Sequence, residues 1–340
     1  MAPRARERLR VTRRLPAGLL TAVLAGALAG CGEPAPETIE GRPGGPYRMT
    51  LDIAPQPPRA GLPATLTTRL RHARNGEPVS GLQVVHERAV HNFIVARDFS
   101  SFAHIHHEDF QPLTPADLER ATFSFPYTFT APGHYRMVSE FTHLDRGWTK
   151  HFDIVVGDDP PPPTPRIDLA RVKTFGRYTA TLHTSPTRPV SGFETELVLE
   201  LERDGQPVTD LALLLGSEVH VALWRLDGRH FGHAHSYTPH MAAMMNAMHD
   251  REAEPRTRAR LMSELMVAMI DMPAELVFSG PRIPVHHVFP APGVYAVFLQ
   301  CAPGGRAQVF DFQLEVAEYT DGMETGIESM VTPAAAHRSP

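Results

Sequence analysis

Six histidines fall into two sets of identical spacing: His91, His104 and His106, then His220, His233 and His235. Residues two apart in a strand point to the same side, so His104 and His106 share a face, as do His233 and His235. Asp227-Gly228 is a favoured two-residue hairpin turn, and counting back from it sets residue 220 against residue 235. The same count about Asp98-Phe99 sets residue 91 against residue 106. Directly opposed Cβ atoms in a hairpin stand about 4.5–5.5 Å apart, so each set predicts three imidazoles converging on one face. That is how a three-coordinate zinc or copper site is built. The competing reading is structural: histidines also fill the polar rims of sandwiches, and a duplicated pattern can record common descent alone. Further histidines crowd each set: His86, His107, His134 and His143 near the first, His230, His240, His286 and His287 near the second. Spacing singles out no fourth ligand among them. Asp98 and Asp227 read as turn formers, and Arg146 and Arg306 as solvated turn charges.

Sulfur offers a second chemistry. Eight of the 13 methionines lie between Met241 and Met272. Met241, Met244, Met245 and Met248 keep helical spacing after Thr238-Pro239, a cap followed by proline at the first helical position. Beyond Pro255, Met262, Leu265, Met266 and Met269 make a second face. The pattern predicts a Met-rich helical insertion over about 238–272. Methionine there serves as adaptable packing or, for the first four, as soft ligands that select Cu(I).

The elements that must position these residues come from an internal repeat. Gly76-Glu-Pro-Val-Ser-Gly-Leu through His91 matches Gly205-Gln-Pro-Val-Thr-Asp-Leu through His220 without a gap, and the register runs on through His106 and His235. Phe129-Thr-Ala-Pro-Gly-His-Tyr135 then matches Phe289-Pro-Ala-Pro-Gly-Val-Tyr295. Strand-like runs recur in both copies, at 47–53, 64–70, 83–86, 123–129 and 151–156, then at 177–183, 194–201, 211–215, 294–301 and 308–316. About seven short strands in roughly 110 residues fit an immunoglobulin-like or cupredoxin-like sandwich. The expected fold is all-β: two tandem β-sandwich domains over residues 46–157 and 166–318, the second carrying the helical insertion. A Pro-rich linker over 158–165 joins them, and a polar tail over 319–340 is expected to be disordered. Each domain is expected to fold alone.

Before the first copy, six arginines up to Arg14 precede an apolar run from Ala17 to Leu28, the order of a secretory signal. Leu28-Ala29-Gly30-Cys31 is similar to a bacterial lipobox, which implies a signal peptide over 1–30, a lipid anchor on Cys31 and a flexible tether over 31–45. Gly32, in place of an aspartate, implies the outer membrane facing the periplasm. The net charge of -5 includes that basic leader, so the mature chain is more acidic still and no nucleic-acid partner is expected. Only Cys301 remains after Cys31, so no disulfide joins the mature chain and Cys301 reads as a small buried residue. There is no G-x-S-x-G, P-loop or H-E-x-x-H. A superoxide-dismutase reading of H-x-H on a sandwich lacks its disulfide, so no enzyme activity is expected.

The run His91-Asn-Phe-Ile-Val-Ala-Arg-Asp-Phe-Ser-Ser-Phe-Ala-His104-Ile-His106, with Pro-Gly-His-Tyr135 after it, resembles the YtkA-like secreted domains and their tandem lipoprotein relatives. The resemblance covers 76–157 well and 205–317 more loosely. It implies an immunoglobulin-like or cupredoxin-like sandwich and a heavy-metal context. His107 departs from the proline usual after H-x-H, and the Met-rich insertion is not general in that family. The expected function is an envelope lipoprotein that binds a transition metal, copper first and zinc as the alternative, for tolerance or for delivery to an envelope metal-handling partner. The second reading is a metal-free adhesion or assembly module.

Overall fold

Sequences such as Tyr47-Arg-Met-Thr-Leu-Asp-Ile alternate large apolar and polar side chains, and a strand turns that period of two into one buried and one wet face. The computed structural model describes residues 38–157, 164–236, 277–323 and 325–326. Cys31 and the leader, residues 158–163 of the linker, the insertion expected at 238–272 with His240 and its methionines, and residues 324 and 327–340 of the tail lie outside the described residues.

The first copy contains β1 (Thr38–Glu40), β2 (Tyr47–Ala54), β3 (Pro63–His72), β4 (Val90–Ala96), β5 (Phe102–Ile105), β6 (Thr122–Thr128), β7 (Gly133–His143) and β8 (Arg146–Val156). The second contains β9 (Val172–Phe175), β10 (Tyr178–Ser185), β11 (Glu194–Arg203), β12 (Gln206–Pro207), β13 (Leu211–Ala212) and β14 (Val219–Arg225). It continues with β15 (Phe231–His235), β16 (Arg282–Val288), β17 (Gly293–Pro303) and β18 (Gln308–Val316). In the first copy, sheet β1-β2-β3-β6 packs on sheet β5-β4-β7-β8. In the second, β12-β11-β10-β9 with β16 packs on β15-β14-β17 with β13 and β18. The named strands pair antiparallel throughout, giving two all-β sandwiches. Residues 83–86 and 213–215, expected in strands, make only isolated bridges at Gln83, Val85 and Leu214. His86 and Leu215 both have positive φ, 48° and 50°, which ends any extended run there.

Each sandwich has its own core, Leu51, Leu66, Phe123, Tyr135 and Met137 among the first, Leu199, Val221, Phe289, Tyr295 and Leu299 among the second. The repeated Pro-Gly-x-Tyr motif is structural: Tyr135 Oη donates to the Ala131 carbonyl and Tyr295 Oη to the Ala291 carbonyl, both at 2.8 Å. Gly133 and Gly293 each take φ +134° to let the chain turn under the ring.

A third core lies between the copies. Phe93, Val95, Phe99 and Val138 of the first pack with Ala222, Trp224, Ala296 and Phe298 of the second. Phe102 stacks on Phe298 at 4.5 Å between ring centroids, 7° from parallel. β4 is therefore buried along its whole length: Val90, Ile94 and Ala96 face their own core while Phe93 and Val95 face the other copy. The sheets that meet here are the ones that carry the histidines.

Candidate metal centre

The hairpin arithmetic sets the register seen. His220 pairs with His235 across β14 and β15, and Asn92 pairs with Ile105 across β4 and β5, which brings His91 opposite His106. The turns hold this register through Asp98, whose Oδ1 accepts from the Ser100 amide and hydroxyl, and Asp227, whose Oδ1 accepts from the Arg229 amide. Both are turn formers.

In the first set, His91 Nδ1, His104 Nε2 and His106 Nε2 stand 3.1, 3.1 and 2.9 Å from one another. Which of these nitrogens carry protons follows from the far side of each ring. His91 Nε2 faces the Val85 carbonyl at 3.0 Å, His106 Nδ1 faces Asp109 Oδ2 at 2.9 Å, and His104 Nδ1 faces Gln300 Oε1 at 3.0 Å. All three partners are acceptors, so each outer nitrogen carries its ring's proton. The inner nitrogens are then three bare lone pairs aimed at one point, an arrangement that repels itself unless a cation sits among them. A tetrahedral ion with bonds of 2.0–2.1 Å sets its nitrogens about 3.3 Å apart, within a few tenths of an ångström of the spacing here.

The second set repeats the design with the same atoms. His220, His233 and His235 each offer a nitrogen within 4.8 Å of the other two. His220 Nε2 donates to the Leu214 carbonyl at 2.7 Å, and His233 Nδ1 donates to Glu140 Oε2 at 2.5 Å. His220 Nδ1, His233 Nε2 and His235 Nε2 are sealed from solvent and have no hydrogen-bond partner among the described residues.

Burial, reinforced by the neighbouring imidazoles, holds His91, His104, His220 and His235 well below the usual histidine pKa. Burial also lowers His106, against the opposing pull of Asp109. Neutral rings with outer N–H groups held by acceptors are the state in which imidazole binds metal.

One outer partner of each triad crosses between the copies. Glu140 reaches His233, and Gln300, its repeat equivalent on β17, reaches His104. Spacing gave no hint of either, because each acts on a residue far away in sequence. Asp109 was also missed; its signal was its place three residues after His106. Of the crowding histidines, His86 comes to the site: its ring lies 4.0 Å from His235 and 5.7 Å from His220 between centroids. His107 bonds Ser124 and Gln111, His143 bonds Tyr47 and Ser80, and His286 bonds Glu194. His287 packs on Phe289. A cavity of about 200 Å³ is lined by His86, His91, Glu140, His233 and His235 among others.

Fold and site thus define a tandem β-sandwich protein with a histidine triad in each copy. The chain belongs to the family described as DUF8832, a domain of unknown function, whose model matches residues 42–158 and again 173–318. No curated protein matches the chain. Among solved structures it is similar to dimeric latent PorU of Porphyromonas gingivalis, at 11% identity and TM-score 0.23, covering 81% of this chain and 20% of that one. It is also similar to invasin, a bacterial integrin-binding protein, at 12% identity and TM-score 0.20, covering 80% and 39%. Fibronectin(III)-like modules of Clostridium thermocellum CbhA match at 11% identity and TM-score 0.17, covering 79% and 94%. The chain spans a fifth of the first of these and about two fifths of the second. At such TM-scores the likeness carries no argument about function.

Proposed function

We propose that this protein binds a transition-metal ion at each triad, as an envelope lipoprotein held at the membrane by Cys31, with no enzymatic activity of its own. One observation carries the reading: the outer nitrogens of His91, His104 and His106 all face acceptors, which leaves three lone pairs 2.9–3.1 Å apart with no proton among them. An all-imidazole set suits borderline ions, and among divalent ions copper binds such sites more strongly than zinc. Copper is therefore the first assignment and zinc the second, for tolerance or for delivery to an envelope metal-handling partner. The resemblance of the His-x-His run to YtkA-like domains supports a heavy-metal context.

The test is a Cu(II) and Zn(II) titration of the purified full chain. Wild type is expected to take up two equivalents, His104→Ala one, and His72→Ala, which lies outside both triads, two. If wild type and His104→Ala bind equally, the triads are structural and the metal-free adhesion or assembly reading replaces this one.

A further inference from the structure

The first copy fills a slot that the second leaves open, beside the turns of the β7–β8 and β17–β18 hairpins. Tyr47 and Tyr178 begin equivalent strands and pair with His72 and Arg203. Trp148 and Gln308 hold the same step of their hairpins, opposite Phe141 and Cys301. In the first copy the Trp148 indole stands T-shaped against Tyr47, 5.0 Å between centroids, and the Arg146 guanidinium lies 4.5 Å over it. The indole reaches the backbone of Gly45, where an added Cβ would come within 3.1 Å of the ring.

The second copy keeps the walls of this slot and lacks the ring. Gly176, at φ +61°, stands for Gly45, Tyr178 for Tyr47 and Arg306 for Arg146, whereas Trp148 becomes Gln308, whose Nε2 donates to the Ala307 carbonyl. A Cβ added at Gly176 meets nothing within 4 Å. The result is a cavity of about 370 Å³ lined by Gly176, Tyr178, Arg203, Arg306 and Gln308 among others, within the size range of small-molecule sites. Arg177 and Arg203 at its rim pair with Asp204 and Asp210. Arg306 is exposed at the turn.

We infer that this slot binds a small, flat aromatic acid. A ring of indole size takes the place that Trp148 holds in the first copy, between Tyr178 and the Arg306 guanidinium, and its carboxylate faces the arginines at the rim. A guanidinium both stacks on an aromatic face and pairs a carboxylate through its fork of N–H groups, so one residue type serves both ends of such a ligand. The slot shares no lining residue with the histidine triads, and its ligand is independent of the metal reading.

The experiment is a calorimetric titration of the full chain with indoleacetate, in the presence of a metal chelator. Wild type is expected to bind one equivalent with about millimolar affinity or tighter, the scale for a ligand of that size. Cyclohexaneacetate, an acid without a flat ring, and indole, a ring without an acid, should each bind about tenfold more weakly or worse. Gln308→Trp should abolish binding, because the chain then supplies the ring itself, and Arg306→Gln should weaken it by about tenfold. No saturable binding by wild type, or equal binding by wild type and Gln308→Trp, would overturn the inference. Equal affinity for cyclohexaneacetate or for neutral indole would overturn the assignment of an aromatic acid. Should Gln308→Trp fold poorly, Arg306→Gln decides, and unchanged affinity there overturns the site.

Discussion

Two adjacent histidines on β16 show how one strand sets opposite protonation behaviour. Burial works to lower the His286 pKa, but the hydrogen bonds and charges of Glu194 and Glu196 overcome it and hold it at about 9. His287, its neighbour, is buried without such partners and is pushed down to about 4. The signs follow from linkage. His286 contributes stability that is fully present below the unfolded value of 6.5 and is lost as pH rises through about 9. His287 contributes stability present above 6.5 and lost as pH falls toward 4. At 1.36 kcal/mol per pKa unit, each is worth of order 3 kcal/mol across its own window. The lowered pKa values of His91, His104, His220 and His235 act in the same acid direction as His287. Urea unfolding from pH 5 to 9 in the presence of a chelator is expected to show a maximum between the two limbs. His287→Leu should flatten the acid limb and His286→Gln the alkaline one; variants with unchanged pH slopes would show these assignments to be wrong.

At the scale of elements, the β14–β15 hairpin depends on Gly228. Its φ is +71°, and a Cβ there would fall onto the guanidinium of Arg136, which crosses from the first copy to donate to the Asp227 carbonyl at 3.0 Å. Gly228→Ala therefore adds left-handed strain of about 1–2 kcal/mol to a collision with a buried side chain. It is expected to lower the melting temperature by several degrees, at about 2–4 °C per kcal/mol for a chain of this size. In an Arg136→Ala background the same substitution should cost less, as coupled neighbours require; equal costs in both backgrounds would show that the two residues do not meet. That hairpin was also where the sequence was most readable. A two-residue turn and a period of two are enough to fix which histidines oppose, so the triads could be counted out by residue number. β7 was harder, because a strand buried on both faces loses the alternation that marks a strand. Glu140 and Gln300 left no local signal at all: their partners lie 93 and 196 residues away, and only the packing of one copy on the other joins them.

For the whole molecule, the contacts between copies are reciprocal. Glu140 reaches His233 while Gln300 reaches His104, and His91–His233 and His104–His220 have the same 5.5 Å ring separation. Residue i touching j while the equivalent of i touches the equivalent of j is the signature of a two-fold, self-complementary interface. The tandem is therefore built like a homodimer joined into one chain. Two complete sandwiches on a proline linker suggest separable domains, but the shared core argues otherwise. A first copy cut free at residues 46–157 uncovers Phe93, Val95, Phe99 and Val138, which are at most 8% exposed in the full chain. Such aromatic and aliphatic side chains together make a contiguous apolar patch of several hundred Å², the size that marks an interaction surface. Because the interface is self-complementary, a second first copy fits the same face, and Glu140 of each protomer is then placed to take the His104 contact that Gln300 makes in the tandem. The isolated first copy is expected to sediment as a dimer, and Val138→Glu, which sets a carboxylate in the middle of the patch, should make it a monomer. A fragment that sediments as a monomer at tens of micromolar without that substitution would show that the interface needs the chemistry specific to the second copy, Trp224 and Phe298 above all.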